Sequence, residues 1–166
     1  VLGDIGAGLL AAMWLSAVAT KVGDLDAMKR AVELAVGRRL ASIGPVVLLL
    51  EFGLAVALLT PEVTVATIGL QLSSGALVVL GAFAVMHAKR APGESCACFG
   101  PGSTTSGAKH LAFNIAAATA SALMSAFWMP SSDLPERLIG LFLGLGIAVL
   151  LLVMRPIWQD VRRAVV

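Results

Sequence analysis

The sequence has no tyrosine, 5% aromatic residues and 13% charged residues among its 166. Soluble domains carry about a quarter charged residues, so this composition leaves too little polar surface to keep a globule in water. The lack of aromatic girdles argues against a membrane β-barrel. A nucleic-acid reader would need a basic face interleaved with aromatics; the net charge is only +2, and nucleic acid is not an expected partner. Cysteine is scarce as well: Cys96 and Cys98 are the whole complement. No thioredoxin-like C-x-x-C is present, so any such domain belongs to a separate protein.

What the chain has in abundance is hydrophobic residue, 58% of the total, with a mean hydropathy of +0.94. It is gathered in runs of about twenty, the length that a hydrocarbon core of ~30 Å asks of a helix. This predicts an all-α integral membrane protein, one transmembrane domain over residues 1–166. Spans are expected from about Ile5 to Lys21, Ile43 to Thr60, Val63 to His87, His110 to Trp128 and Leu138 to Met154. The first four form a bundle and the fifth follows as a C-terminal addition. No basic stretch precedes the first span, so it reads as a retained helix rather than a cleaved leader.

Between the first two spans the pattern changes. Asp24 is a good N-cap ahead of Leu25, Met28, Val32, Ala35 and Val36, apolar at helical spacing. Lys29, Arg30, Glu33, Arg38 and Arg39 occupy the other faces, so this segment predicts an amphipathic helix in the headgroup plane. In the third span Gln71 and Ser74 are expected to make interhelical hydrogen bonds. In the fifth, Gly140 and Gly144 form a G-x-x-x-G packing surface. Pro156 is expected to end that helix, leaving a tail on the membrane surface.

Eleven of the twelve Lys and Arg residues fall on one side of this five-span arrangement, and only Arg137 on the other. The positive-inside rule makes the rich side cytoplasmic. A multi-pass protein of an inner (plasma) membrane follows, with its N-terminus outside and its cysteine loop and C-terminus inside. Glu51 interrupts the second span. A carboxylate there costs ~2.5–3.5 kcal/mol if ionised and alone, so it should be protonated or paired. Lys21 is either an interfacial lysine or a partner for that acid. Asn114 lies about one turn inside the fourth span, in the same leaflet as Lys21 and Glu51.

The long polar connection from Ala88 to about Lys109 carries the cysteines. Neighbouring cysteines at i and i+2 can bridge, but in a strained ring that is readily reduced. That suits redox exchange better than a structural staple, and Lys89 and Arg90 would favour thiolate. Two other readings stay open. Cys96 and Cys98 with His87 and His110 would make a sulfur–nitrogen metal set, although the spacing matches no standard zinc motif. Alternatively the two thiols only pack.

Lys21 at the end of the first helix, Glu51 inside the second and Cys96-Ala97-Cys98-Phe99-Gly100 after the third together resemble the methylamine-utilisation MauE family, within the broader DoxX-like four-helix membrane proteins. The resemblance covers about Gly8 to Trp128, with residues 136–166 beyond it. It implies thiol–disulfide handling beside a thioredoxin-like partner that matures an exported disulfide-rich subunit. It further implies that Cys96 and Cys98 are the redox pair, that Glu51 acts with them, and that Lys21, Asn114, Phe99 and Gly100 support them. Maturation of exported proteins occurs outside, whereas the charge count puts the cysteines inside; electron transfer across the membrane would reconcile the two. The leading expectation is therefore a membrane thiol–disulfide redox protein in which Cys96 and Cys98 exchange electrons with a partner's thiols and Glu51 manages a proton. A rival expectation is a non-enzymatic accessory subunit of a larger membrane complex, docking through the fifth helix. A third is a quinone-linked oxidoreductase, with a quinone as its cofactor.

Overall fold

The computed structural model describes residues 1–92 and 107–165. All regular structure among the described residues is helical. Helix α1 (Leu2–Gly23) is followed by α2 (Leu25–Val36), a 3-10 stretch (Arg38–Ile43), α3 (Gly44–Leu59), α4 (Val63–Arg90), α5 (Gly107–Phe127) and α6 (Leu134–Val165). Four helical segments are long and apolar enough to cross a membrane: Leu2–Gly23, Val63–Arg90, Ala108–Phe127 and Leu134–Leu151. The chain is an all-α integral membrane protein.

Helix α3 occupies the place of the expected second span but is shorter than a full crossing. It has 16 residues, about 24 Å at ~1.5 Å per residue, which is short of a ~30 Å core. Pro45 sits in its first turn, where a missing N–H costs nothing, and Thr60 leaves the helix in an extended conformation. The residues before it, which carry Arg38 and Arg39, are wound as 3-10 helix instead. Helix α6 departs in the other direction. It begins at Leu134 and continues through Pro156 to Val165, so the expected stop and surface tail are replaced by continuous helix. A proline removes one helical donor and crowds the preceding turn, which kinks or weakens a helix but does not oblige it to end.

Helix α1 lies at the centre. It packs on α6 along one side and on α3 along another, while α4 packs chiefly on α5. The α1–α6 seam is built from glycine. A Cβ on Gly144 would stand 2.2 Å from Ile5 O and 3.0 Å from Gly8 Cα, and one on Gly140 would stand 2.4 Å from Asp4 Cβ. Residues 4 and 8 thus face 140 and 144 in one parallel register. Small residues let backbones approach closely where no water is available to drive association. The G-x-x-x-G surface does pack, but against α1 of the same chain, so that face is not free as the docking surface expected of the fifth helix. Across the buried core, Trp14 Nε1 of α1 donates to Ser73 Oγ of α4 at 3.0 Å. On α5, Ser121 Oγ donates to Leu70 O of α4 at 2.7 Å. Ser73, rather than the expected Gln71 or Ser74, makes the interhelical hydrogen bond in this part of α4, and Gln71 is exposed.

The amphipathic α2 forms as its spacing predicts. Asp24 caps it, accepting from Ala27 N at 2.9 Å, and Met28, Ala31, Val32 and Ala35 are buried. It packs on α4, and the Arg90 guanidinium at the end of α4 donates to Ala35 O in its last turn. A cation there satisfies a carbonyl that helix geometry leaves open.

Gly144→Val should force apart two backbones that touch, at a cost of about 1–3 kcal/mol for overpacking. Gly146→Val, on the same helix with nothing within 4 Å of its built Cβ, should be near neutral. Thermal unfolding of the two variants in detergent checks the difference.

Candidate functional site

Two buried ion pairs tie α1 to its neighbours, one near each end. At the end where α1 finishes and α2 begins, Lys21 Nζ donates to Glu51 Oε1. Lys21 continues the ridge of Trp14 and Ala17, and Glu51 shares the buried face of α3 with Leu54, Ala55 and Leu58. Glu51 is 1% exposed. Both alternatives for Lys21 are thereby decided: it is the partner of the buried acid. Opposite charges in a weakly polarisable interior attract strongly, but each has given up its hydration. Such a pair fixes geometry more than it adds stability.

The second oxygen of the acid is different. Glu51 Oε2 is buried and has no hydrogen-bond partner among the described residues. Glu51 as a residue also borders an apolar cavity of about 610 Å³ between α3 and α4. A second apolar cavity, about 340 Å³, lies on the Lys21 side under α2. The two share Val47, Val79 and Leu80 as their common wall.

Asn114 belongs to another seam. It is 1% exposed and packs on Gly81 of α4, where a built Cβ would stand 3.3 Å from Asn114 Cβ. Neither atom of its carboxamide has a partner among the described residues. His87 near the end of α4 and His110 near the start of α5 are also buried, and the Phe83 ring lies 6.5 Å from that of His87. Cys96, Cys98, Phe99 and Gly100 fall outside the described residues. The metal set of Cys96, Cys98, His87 and His110 therefore has half its members there. Among the described residues no group of three or more His, Cys, Asp or Glu could hold a metal ion.

The ion pair that sequence reasoning missed joins Asp4 to Arg137. Arg137 Nη1 donates to Asp4 Oδ1 at 3.1 Å, and the two side chains are 1% and 0% exposed. Arg137 Nε also donates to Thr60 O at 3.1 Å, and Ser131 N donates to Asp4 Oδ1 at 3.2 Å. One guanidinium thus gathers the start of α1, the end of α3 and the start of α6 at a single end of the bundle. Its planar array of five donors is what allows one side chain to meet a carboxylate and a carbonyl together. The available signal was a pair of opposite charges flanking two apolar runs that the topology brings to one end.

Lys21→Met should destabilise the fold by about 3–5 kcal/mol, because it strands a buried carboxylate. Lys21→Met combined with Glu51→Leu should recover most of that loss. Denaturant titration in detergent, run as a double-mutant cycle, reads the coupling.

No curated protein and no solved structure matches the chain. A family model described as methylamine utilisation protein MauE matches residues 1–129, which spans α1 through α5 and leaves α6 beyond it. With the greater part of its length matched and an all-helical membrane fold, the chain belongs to the MauE family of membrane proteins.

Proposed function

We propose that this MauE-family membrane protein carries out thiol–disulfide exchange through Cys96 and Cys98, with a separate dithiol protein of thioredoxin type as partner. The single observation that carries the reading is the isolated pair of cysteines, one residue apart, in the connection that joins α4 to α5. The helix ends that flank this connection support it. Arg90 is fastened to α2, beside the end where Lys21 meets Glu51. Lys89 is exposed, and a cation near the pair lowers the cost of thiolate.

The exchange balances as follows. A thiolate of the partner attacks one sulfur of a Cys96–Cys98 bridge and expels the other as thiolate, leaving a mixed disulfide. The partner's second thiolate then breaks the mixed bond. The partner leaves as a disulfide, and two electrons remain on this chain as two thiolates. These take up the protons that the partner's thiols gave up. The reverse reaction follows the same steps backward. A strained small ring favours the forward sense, because its opening relieves strain. In this reading residues 1–166 form one transmembrane domain of an inner membrane, with the cysteine connection on the cytoplasmic side. Lys21, Glu51 and Asn114 are its intramembrane polar support.

Cys96→Ser and Cys98→Ser should each reduce oxidation of a dithiol partner to background, and one of them should trap the partner as a mixed disulfide on a non-reducing gel. Exchange at the wild-type rate in both variants rejects the reading. For sidedness, an impermeant maleimide should label the cysteines in inverted vesicles and not in intact cells.

A further inference from the structure

The cavity under α2 holds about 340 Å³. Met28, Val32 and Val36 of α2 roof it, and α3 and α4 supply its walls. Lys21 is its one polar lining residue, and the Lys21 ammonium donates to Glu51. Every other lining side chain is hydrocarbon or thioether, so the space suits hydrocarbon. Left empty, its lining forfeits dispersion contacts on one side. Ile43, Val79 and Met86 line the cavity and are also more than a third exposed on the outside of the bundle. The wall toward lipid is one side chain thick there.

Cations surround the same corner. Arg38 and Arg39 follow Val36 by two and three residues and are exposed. Arg90 is exposed as well. It lies one turn beyond Met86, and its guanidinium is held at the last turn of α2 by its bond to Ala35 O. Lys89 stands next to it, exposed. The acids of α2 lie mostly at its other end, where Asp24 is occupied as the cap and Asp26 is 3.9 Å from Lys29. Glu33 is the one carboxylate in residues 33–43. Helix α4 is long and apolar enough to span, and Lys89 and Arg90 are its last two residues, which puts the cluster at headgroup height. Grouped basic residues beside a span attract anionic lipid, and guanidinium meets phosphate through paired donors.

Apolar space next to guanidinium groups at the membrane surface fits a molecule with a hydrocarbon tail and a permanently charged anionic head. The bilayer itself supplies one. We propose that an anionic phospholipid binds at the corner of α2, α3 and α4, with one acyl chain in the cavity under α2 and its phosphate against Arg38, Arg39 and Arg90. The chain then covers Lys21 from the membrane side. This site stands apart from the cysteine reading, and neither depends on the other.

The test titrates the full chain in neutral detergent with phosphatidylglycerol and, separately, with phosphatidylcholine of the same acyl chains. Native mass spectrometry counts the bound lipid. One phosphatidylglycerol per chain should bind saturably, about tenfold more tightly than phosphatidylcholine. Arg38→Gln combined with Arg39→Gln should bring the two lipids within about twofold of each other. Lys29→Gln combined with Arg30→Gln removes the same charge from exposed positions of α2 and should leave the preference intact. Val36→Phe and Ala82→Phe fill the cavity from opposite walls, and each should weaken phosphatidylglycerol binding at least about tenfold; circular dichroism checks that they fold. Equal affinity for the two lipids, equal loss in the two charge variants, or unchanged affinity in folded filling variants overturns the proposal. Competition by inorganic phosphate, or equally tight binding of oleate, overturns it too, since the site would then serve a free anion or a fatty acid. The arginine variants change exposed residues and decide the matter even where a filled cavity fails to fold.

Discussion

A charge inside a membrane bundle has to meet its opposite, and this fold is arranged around that requirement. Helix α1 carries one member of each of two buried pairs, Asp4 near its beginning and Lys21 near its end. Each pair recruits a different neighbour: Arg137 brings in α6, and Glu51 brings in α3. Apolar contact between helices gives little direction in lipid, because lipid tails are as apolar as leucine. The pairs supply direction. They fix which face of α1 meets which partner, and at which height. Glycine then lets α6 come close, and the Trp14–Ser73 bond joins α4 to the same central helix.

Particular residues show what could be read from the sequence and what could not. Glu51 announced itself because a lone carboxylate within an apolar run has few affordable states. Lys21, one helix earlier and at a compatible depth, was among its candidate partners. Asp24 and the spacing of Met28, Val32 and Ala35 identified α2, since a cap and a 3.6-residue period are local properties. Asp4 and Arg137 were hidden because charges at the edges of apolar runs look like ordinary interfacial residues. Their meeting depends on three chain segments converging. The choice of Ser73 over Gln71 and Ser74 turns on rotation about the α4 axis, about 100° per residue. Only packing sets that rotation. The length of α3 and the continuation of α6 past Pro156 are likewise decided by context rather than by composition.

The two oxygens of Glu51 have unlike surroundings, and this connects the scaffold to its chemistry. One oxygen is committed to holding α1 and α3 together. The other is buried without a partner among the described residues. A single carboxyl group thus serves the architecture through one oxygen and leaves the other without a partner among the described residues. The apolar cavity under α2, on the far side of the shared wall, keeps the neighbouring lysine away from bulk water as well. Low polarity around both charges makes the pair sensitive to anything that enters from the lipid.

The separation along the chain of Asp4 and Arg137 bears on how the protein is made. During synthesis the carboxylate of α1 enters the bilayer long before the guanidinium that neutralises it has left the ribosome. Helix α1 must therefore wait, held by solvent, insertion machinery or a provisional contact, until α6 arrives. Closure of this clasp has to follow the emergence of α6, which lies beyond the family's matched region yet carries the arginine that locks the start of α1 in place.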